Sequence, residues 1–277
     1  MSDRPLPQAV RMTPGQAWRA GEMQPHQRHL AEETPVAFSY DGAAHAVMMA
    51  TPADLEDFAV GFSLTEGIID QPSAIRELEV VPVPDGVNLR LWLEPAAAER
   101  AERRRRRLAG PVGCGLCGIE SLAEANRALP KVAAEPRFTP AQVTLAMAQL
   151  AALQPLNQQT RAVHAAALWT SQAGIVAVRE DVGRHNALDK LAGALAGAGI
   201  SPAAGILLLT SRVSVEMVQK AASIGAPVIA AISAPTALAV RLAEKANITL
   251  AAIVRGPEFE LFTHSHRIDG KAKADVA

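Results

Sequence analysis

Residues 205–254, GILLLTSRVSVEMVQKAASIGAPVIAAISAPTALAVRLAEKANITLAAIV, decide the fold class. Three short apolar runs, at 206–209, 228–232 and 248–254, read as strands covered on both faces. Residues 213–224 and 236–246 lie between them and read as helices. Just upstream, 174–178 reads as another strand and 186–196 as the helix after it. Strand and helix alternating through short connections predict a mostly parallel, three-layer α/β sheet.

Working outward, Thr139-Pro140 opens a capped helix that runs to about Leu153. Nearer the amino terminus, residues 28–97 read as a smaller α+β domain. Val36, Phe38 and Tyr40 alternate, Asp41-Gly42 follows, and Ala44, Ala46 and Met48 alternate again, which is a hairpin signature. Thr51-Pro52-Ala53-Asp54 reads as the capped start of a helix with Leu55, Phe58, Ala59 and Phe62 on its apolar face, ending near Gly67. Residues 77–83 and 87–93 read as two more strands around Pro84-Asp85-Gly86. Residues 1–27, with four prolines and no periodicity, read as a flexible arm. Residues 98–112, with five arginines at 103–107, read as a charged linker or as a docking strip for an acidic or phosphate-bearing partner. Residues 113–270 form the larger domain, and 271–277 a disordered tail.

The 277 residues suffice for one or two domains with a core of ordinary size. Lys plus Arg is 27 against 28 Asp plus Glu, a net charge of -1, which argues against a surface coated in positive charge for nucleic acid. Mean hydropathy is +0.11 and no apolar run reaches the roughly 18 residues of a membrane span. The first 30 residues lack the apolar segment of a secretory signal.

Open α/β sheets bind ligands at the carboxyl ends of their strands. The loops expected there carry Arg184, Arg212 and Arg255, whose planar forks suit phosphate. Ser211 and Thr236 fall where helices begin, and helix N-termini attract anions. The plain alternative is that these residues cap helices and tie loops.

The chain has two cysteines, Cys114 and Cys117, in Gly113-Cys-Gly-Leu-Cys-Gly118. Two cysteines exclude a disulfide framework and a four-cysteine zinc site. A helix start near Gly118 and the arginines upstream would favour the thiolate, the form able to accept and pass on sulfur. A dithiol oxidoreductase is the competing reading, although no thioredoxin-like strand precedes the pair. His164 stands where zinc deaminases carry His-x-Glu, but Ala166 replaces the glutamate and no Pro-Cys-x-x-Cys follows, so it reads as structural.

Taken in order, Cys-Gly-Leu-Cys-Gly at 114–118, Glu-Asp-Val-Gly-Arg-His-Asn-Ala-Leu-Asp-Lys at 180–190 and Thr-Ser-Arg-Val-Ser-Val-Glu-Met-Val-Gln-Lys at 210–220 are specific. With Gly-Ala-Pro-Val at 225–228, Ser-Ala-Pro-Thr at 233–236 and Arg-Gly at 255–256, they resemble the formate dehydrogenase accessory sulfurtransferases, the FdhD family, over residues 28–268. The resemblance implies a cytidine-deaminase-like scaffold for the larger domain. It implies a sulfurtransferase that takes persulfide sulfur from a cysteine desulfurase and delivers it to the molybdenum cofactor, as bis(molybdopterin guanine dinucleotide), for formate dehydrogenase. Cys114 would carry the persulfide, with Cys117 its companion thiol. Phe262, Thr263, His264, Ser265, His266 and Arg267 match the family's cofactor-binding segment, which Arg184 and Arg212 would supplement. The chain has Gly113 where the family often has Ser or Thr, and Ser265 where it often has Pro. A homodimer is expected, with neither membrane nor nucleic acid as a partner. The alternatives are a molybdenum-cofactor chaperone that transfers no sulfur, and the dithiol oxidoreductase.

Overall fold

The structure, a computed structural model, describes residues 4–108 and 129–269. Cys114, Cys117, the helix expected from Gly118 and the tail 271–277 lie outside the described residues. The chain begins with an antiparallel ribbon, β1 (Val10–Arg19) and β2 (Glu22–Ala31), turned at Ala20 (φ 50°) and Gly21 (φ 91°). This corrects the expectation of an arm without regular structure over 1–27. Pro14 and Pro25 masked the alternation, yet proline is compatible with strands that have a free edge.

A four-stranded sheet follows in the order β4-β3-β6-β5, from β3 (Thr34–Tyr40), β4 (Ala43–Ala50), β5 (Ile75–Val83) and β6 (Gly86–Leu93). Asp41 (φ 48°) and Gly42 (φ 78°) make the tight β3–β4 turn that Asp-Gly predicts. Helix α1 (Leu55–Thr65) covers the sheet, with Phe38, Phe58 and Phe62 packed ring against ring. It starts later than expected. Asp54 holds the cap position with a left-handed backbone, and Thr51 caps nothing. Helix α2 (Pro95–Leu108) runs through the arginines, which corrects the linker expected from 98. Glu99 and Arg103 pair one turn apart, Arg100 bonds the Ile68 carbonyl (2.9 Å), and Arg104 pairs with Glu66. Like charges are tolerated in a helix when partners face them.

The second sheet has six strands in the order β12-β11-β10-β9-β7-β8. Helices α3 (Pro140–Ala152) and α4 (Pro155–Thr160) lead into β7 (His164–Thr170) and β8 (Gly174–Asp181). Then α5 (Arg184–Gly197), β9 (Ile206–Leu209), α6 (Val215–Ser223), β10 (Val228–Ala231), α7 (Ala237–Lys245), β11 (Thr249–Arg255) and β12 (Glu258–Thr263) alternate. Thr139 and Gln142 close the expected cap on α3 with a reciprocal box. Side chains alternate across the strands. Leu207, Leu209, Ile229 and Leu250 pack under α5, α6 and α7. Leu208, Ala230, Ala251 and Trp169 pack under α3.

The sheet is mixed, not mostly parallel. Only the β9–β10 and β10–β11 pairings are parallel. Strand β7 inserts antiparallel between β8 and β9, and β12 folds back antiparallel on β11. Both hid in the sequence. His-Ala-Ala-Ala-Leu-Trp-Thr is poor in β-branched residues, and β12 lies at an exposed edge where packing imposes no strong pattern.

The two sheets are joined by α1 lying across α5 at glycine distance. A Cβ on Gly61 would stand 1.7 Å from the Asp189 carbonyl oxygen, and one on Gly193 would stand 1.9 Å from that of Asp57. Only side chains of zero size allow that approach.

Candidate functional site

Because β7 and β12 run against the others, β8, β9, β10 and β11 still end on one rim. The first rim loop follows Asp181, three residues later than the sequence suggested. The motif at 180–190 divides its labour here. Glu180 accepts from the Leu156 and Asn157 amides at the start of α4 (2.9 and 2.8 Å). Asp181, fully buried, accepts from Gly183 N (2.7 Å), Asn186 Nδ2 (2.9 Å) and Thr51 N (3.0 Å) and pairs with Lys190 Nζ (2.6 Å). Lys190 donates to the Thr51 carbonyl (2.8 Å), Asn186 to that of Met49 (2.8 Å), and the Thr51 hydroxyl accepts from Val182 N (3.1 Å). Thr51 is therefore a bolt between the sheets, which no local pattern reveals. The buried charges are stable because each is paired and hydrogen-bonded.

What the motif leaves over faces the rim. Arg184 begins α5 after Gly183 at the N-cap, with its Nε buried and without a hydrogen-bond partner among the described residues. His185 Nε2 is likewise buried and lies 3.9 Å from Glu216, beyond hydrogen-bond reach. Ser214, at the N-cap of α6, has a buried Oγ without a hydrogen-bond partner among the described residues. His164, at the start of β7, is half-buried. Burial first, then the Arg184 charge, hold its pKa below the usual histidine value. Two helix N-termini, a guanidinium and buried polar side chains converge here beside Glu216, whose pKa His185 foremost and Ser214 bring down to about 2, and the donors make a cradle suited to an oxyanion such as phosphate. Arg212 and Arg255 stand exposed on the same rim, Arg255 after a bulge with Ile253 at φ 57°.

Two expectations about caps are corrected. Ser211 does not start a helix; it is buried and donates to the Arg212 carbonyl (3.0 Å). Thr236 does cap α7, and the Ala239 amide occupies its oxygen (3.2 Å). His185, Ser214 and Glu216 were not singled out, although all three sit inside the two long motifs. His164, read as structural, lies in the site.

The segment Phe262–Arg267 sits at the other end of the sheet. Strand β12 reverses direction, so Thr263 pairs with Leu250 at the start of β11. Thr263 is buried, accepts from Leu250 N (3.0 Å) and donates to the Ile248 carbonyl (2.7 Å). Arg267 is fully buried and donates to Thr249 Oγ1 (3.2 Å), the Ala134 carbonyl (3.1 Å) and Glu135 (2.8 Å). His266 meets Glu135 at 3.0 Å, and His264 Nε2 lies 2.9 Å from the Glu244 carbonyl. Phe262, Ser265 and His266 are exposed. Thus Arg184 and Arg212 share one rim, and residues 262–267 do not join them within a single chain. Beyond Cys117 the described chain resumes at Leu129 and soon meets this second cluster, with Val132 N bonded to the Ala246 carbonyl (2.9 Å).

A model of the FdhD/NarQ family matches residues 31–269. A protein from Agrobacterium fabrum named "Sulfur carrier protein FdhD" is 55% identical over 253 residues, covering 91% of this chain and 93% of that one. One of the same name from Cupriavidus necator is 50% identical over 255 residues, covering 92% and 88%. A crystal structure of a formate dehydrogenase accessory protein from Desulfotalea psychrophila superposes with a TM-score of 0.75 at 27% identity. It covers 96% of this chain and 100% of that one.

Proposed function

The chain belongs to the FdhD/NarQ family, and on that premise we propose that it is a sulfur carrier whose working thiol is Cys114. The observation that carries this is a single Cys-x-x-Cys in a chain 55% identical to a protein named as a sulfur carrier. The thiolate of Cys114 attacks the outer sulfur of a persulfide on a cysteine desulfurase. A new S–S bond forms, the donor's S–S bond breaks, and the donor's thiolate leaves. Attack by Cys117 on the inner sulfur then releases hydrosulfide to the acceptor and leaves a Cys114–Cys117 disulfide, which an external dithiol reduces.

The acceptor in this proposal is the bis(molybdopterin guanine dinucleotide) form of the molybdenum cofactor, held as substrate on its way to formate dehydrogenase. Its pyrophosphates suit the donors of Arg184, His185 and Ser214, with Arg212 nearby. Residues Phe262–Arg267 offer exposed Phe262 and His266 for a guanine face, whereas the Arg267 guanidinium is committed to the fold. The proposed location is the cytoplasm. The proposed scaffold is of the deaminase kind with its chemistry removed, since Ala166 stands where the proton-shuttling glutamate would be.

Intact-mass analysis after incubation with a cysteine desulfurase and cysteine tests the carrier role. The wild type and Cys117→Ala should gain about 32 Da per sulfur, reversibly on reduction, and Cys114→Ala should gain none. An adduct retained by Cys114→Ala overturns the assignment. No adduct on any variant, with the desulfurase proven active, favours a cofactor chaperone instead.

A further inference from the structure

We propose that the anion seated on the rim brings a proton with it, and that the imidazole of His164 receives that proton. The inference rests on the proposed reading of the rim as a pyrophosphate site and adds the condition under which the site holds its ligand. Arg184 sets the charge of the free cradle. It is half-buried in the first turn of α5, where the helix dipole is already positive, and it forms no ion pair among the described residues. A cation so placed calls for an anion from outside the chain. His164 opens β7 beside it. Thr210 grips the next residue twice, its Oγ1 accepting from Ala165 N (2.8 Å) and its N donating to the Ala165 carbonyl (3.1 Å), so the imidazole stands on a fixed backbone. Its ring makes no hydrogen bond or ion pair among the described residues.

The charges around His164 come from four elements. From α5, Arg184 and His185 act on it, and both disfavour a second positive charge. From β8 comes Asp181, its partner in the strand register, whose charge Lys190 already answers at 2.6 Å. From α6, Glu216 lies 3.9 Å from His185, and Arg212 stands exposed in the loop after β9. Burial and Arg184 together leave His164 neutral in the free protein at pH 7. A pyrophosphate diester carries two negative charges, more than Arg184 alone can answer, and Glu216 opposes it. Once it is seated, the field at His164 changes sign, and the imidazolium becomes the favoured form. The added proton supplies the missing positive charge and a further donor nitrogen. His164 suits this role better than His185. A charge on His185 would be answered by Glu216, whereas one on His164 is left for the ligand. Linkage is reciprocal: if the ligand favours the proton, the proton favours the ligand by the same factor. Affinity should therefore rise as pH falls through the neutral range, and level off once His164 of the free protein is itself protonated.

The probe is diguanosine 5′,5′-diphosphate, a diester whose phosphates take up no proton in the neutral range, unlike a terminal phosphate, which titrates near about pH 6. Isothermal titration on the full chain at about pH 6, 7 and 8, in buffers of different ionisation enthalpy, gives both Kd and the number of protons taken up. The wild type should bind roughly 5- to 10-fold more tightly at pH 6 than at pH 8, and take up roughly half to one proton per ligand near pH 6.5. His164→Gln, which keeps a hydrogen-bonding amide, should lose both the pH dependence and the proton uptake. His45→Gln, whose imidazole belongs to the other sheet, should keep both. Melting temperature at each pH establishes that the variants are folded. Binding that is equal across the pH range, or proton uptake that survives in His164→Gln, overturns the proposal and leaves the rim site standing. No binding at any pH overturns the reading of the rim itself, and the proposal with it.

Discussion

Arg184 and Arg267 were both expected to bind ligand, and their surroundings separate them. Each has a buried Nε without a hydrogen-bond partner among the described residues, and Arg184 holds its guanidinium at a helix N-terminus on the sheet rim. Arg267 is enclosed, with Thr249, Ala134 and Glu135 on its terminal nitrogens. Arg184→Ala should weaken binding of guanosine diphosphate roughly 10- to 100-fold, the loss of one charge-assisted contact, with the melting temperature unchanged. Isothermal titration measures the first and a thermal scan the second. Arg267→Met should lower folding stability by roughly 3 kcal/mol, since it strips a donor from the buried Thr249 hydroxyl and the half-buried Ala134 carbonyl, and urea denaturation reads that directly.

Among elements, the α1–α5 contact holds the two sheets together, and it depends on two missing side chains. Gly61→Ala places a methyl carbon 1.7 Å from a backbone oxygen, so α1 must lift away from α5. Its cost should exceed the roughly 1–3 kcal/mol usual for overpacking, seen as a lower urea midpoint. Gly197→Ala, in α5 with nothing among the described residues within 4 Å of the added carbon, should act in the opposite direction and stabilise by about 0.5–1 kcal/mol. Both glycines lie in helices, so sequence context alone would rank the two substitutions alike.

Across the whole molecule, charges from four elements meet beneath the interface between the sheets. Lys220 Nζ contacts Asp189 (2.8 Å), Glu66 (3.0 Å) and the Thr65 hydroxyl (3.0 Å), and Arg104 of α2 closes the group on Glu66. Burial opposes ionisation of Glu66, yet Lys220 and Arg104 outweigh it and bring its pKa down to about 2. Lys220→Met leaves Asp189 buried and unpaired, and should cost about 3–5 kcal/mol. His45 is shifted by burial first and by Arg104 next, down to about 4. The fold thus favours neutral His45, and the unfolded chain takes up that proton first. Stability should decline as pH falls from 6.5 to 4. The Glu66 contribution is complete above about 4.5 and is lost as pH falls toward 2. Melting temperature against pH should show both phases, and His45→Phe should shrink only the upper one, to which His164 also contributes.

What depends on neighbours along the chain was legible before folding: the apolar runs of β9, β10 and β11, the Asp-Gly turn, the Thr139 cap, the loops that gather on the rim and the ordered motifs of the family. Local sterics and periodicity encode these within a few residues. Tertiary structure alone decided the rest: the insertion of β7, the return of β12, the role of Thr51 and the separation of Arg184 from Phe262–Arg267. Strand order is fixed by which faces bury together, and that depends on residues more than a hundred positions apart, such as Thr51 and Asp181. The ribbon shows the same division: its prolines hide the strand pairing along the chain, and only the structure turns Met12, Trp18 and Met23 to solvent.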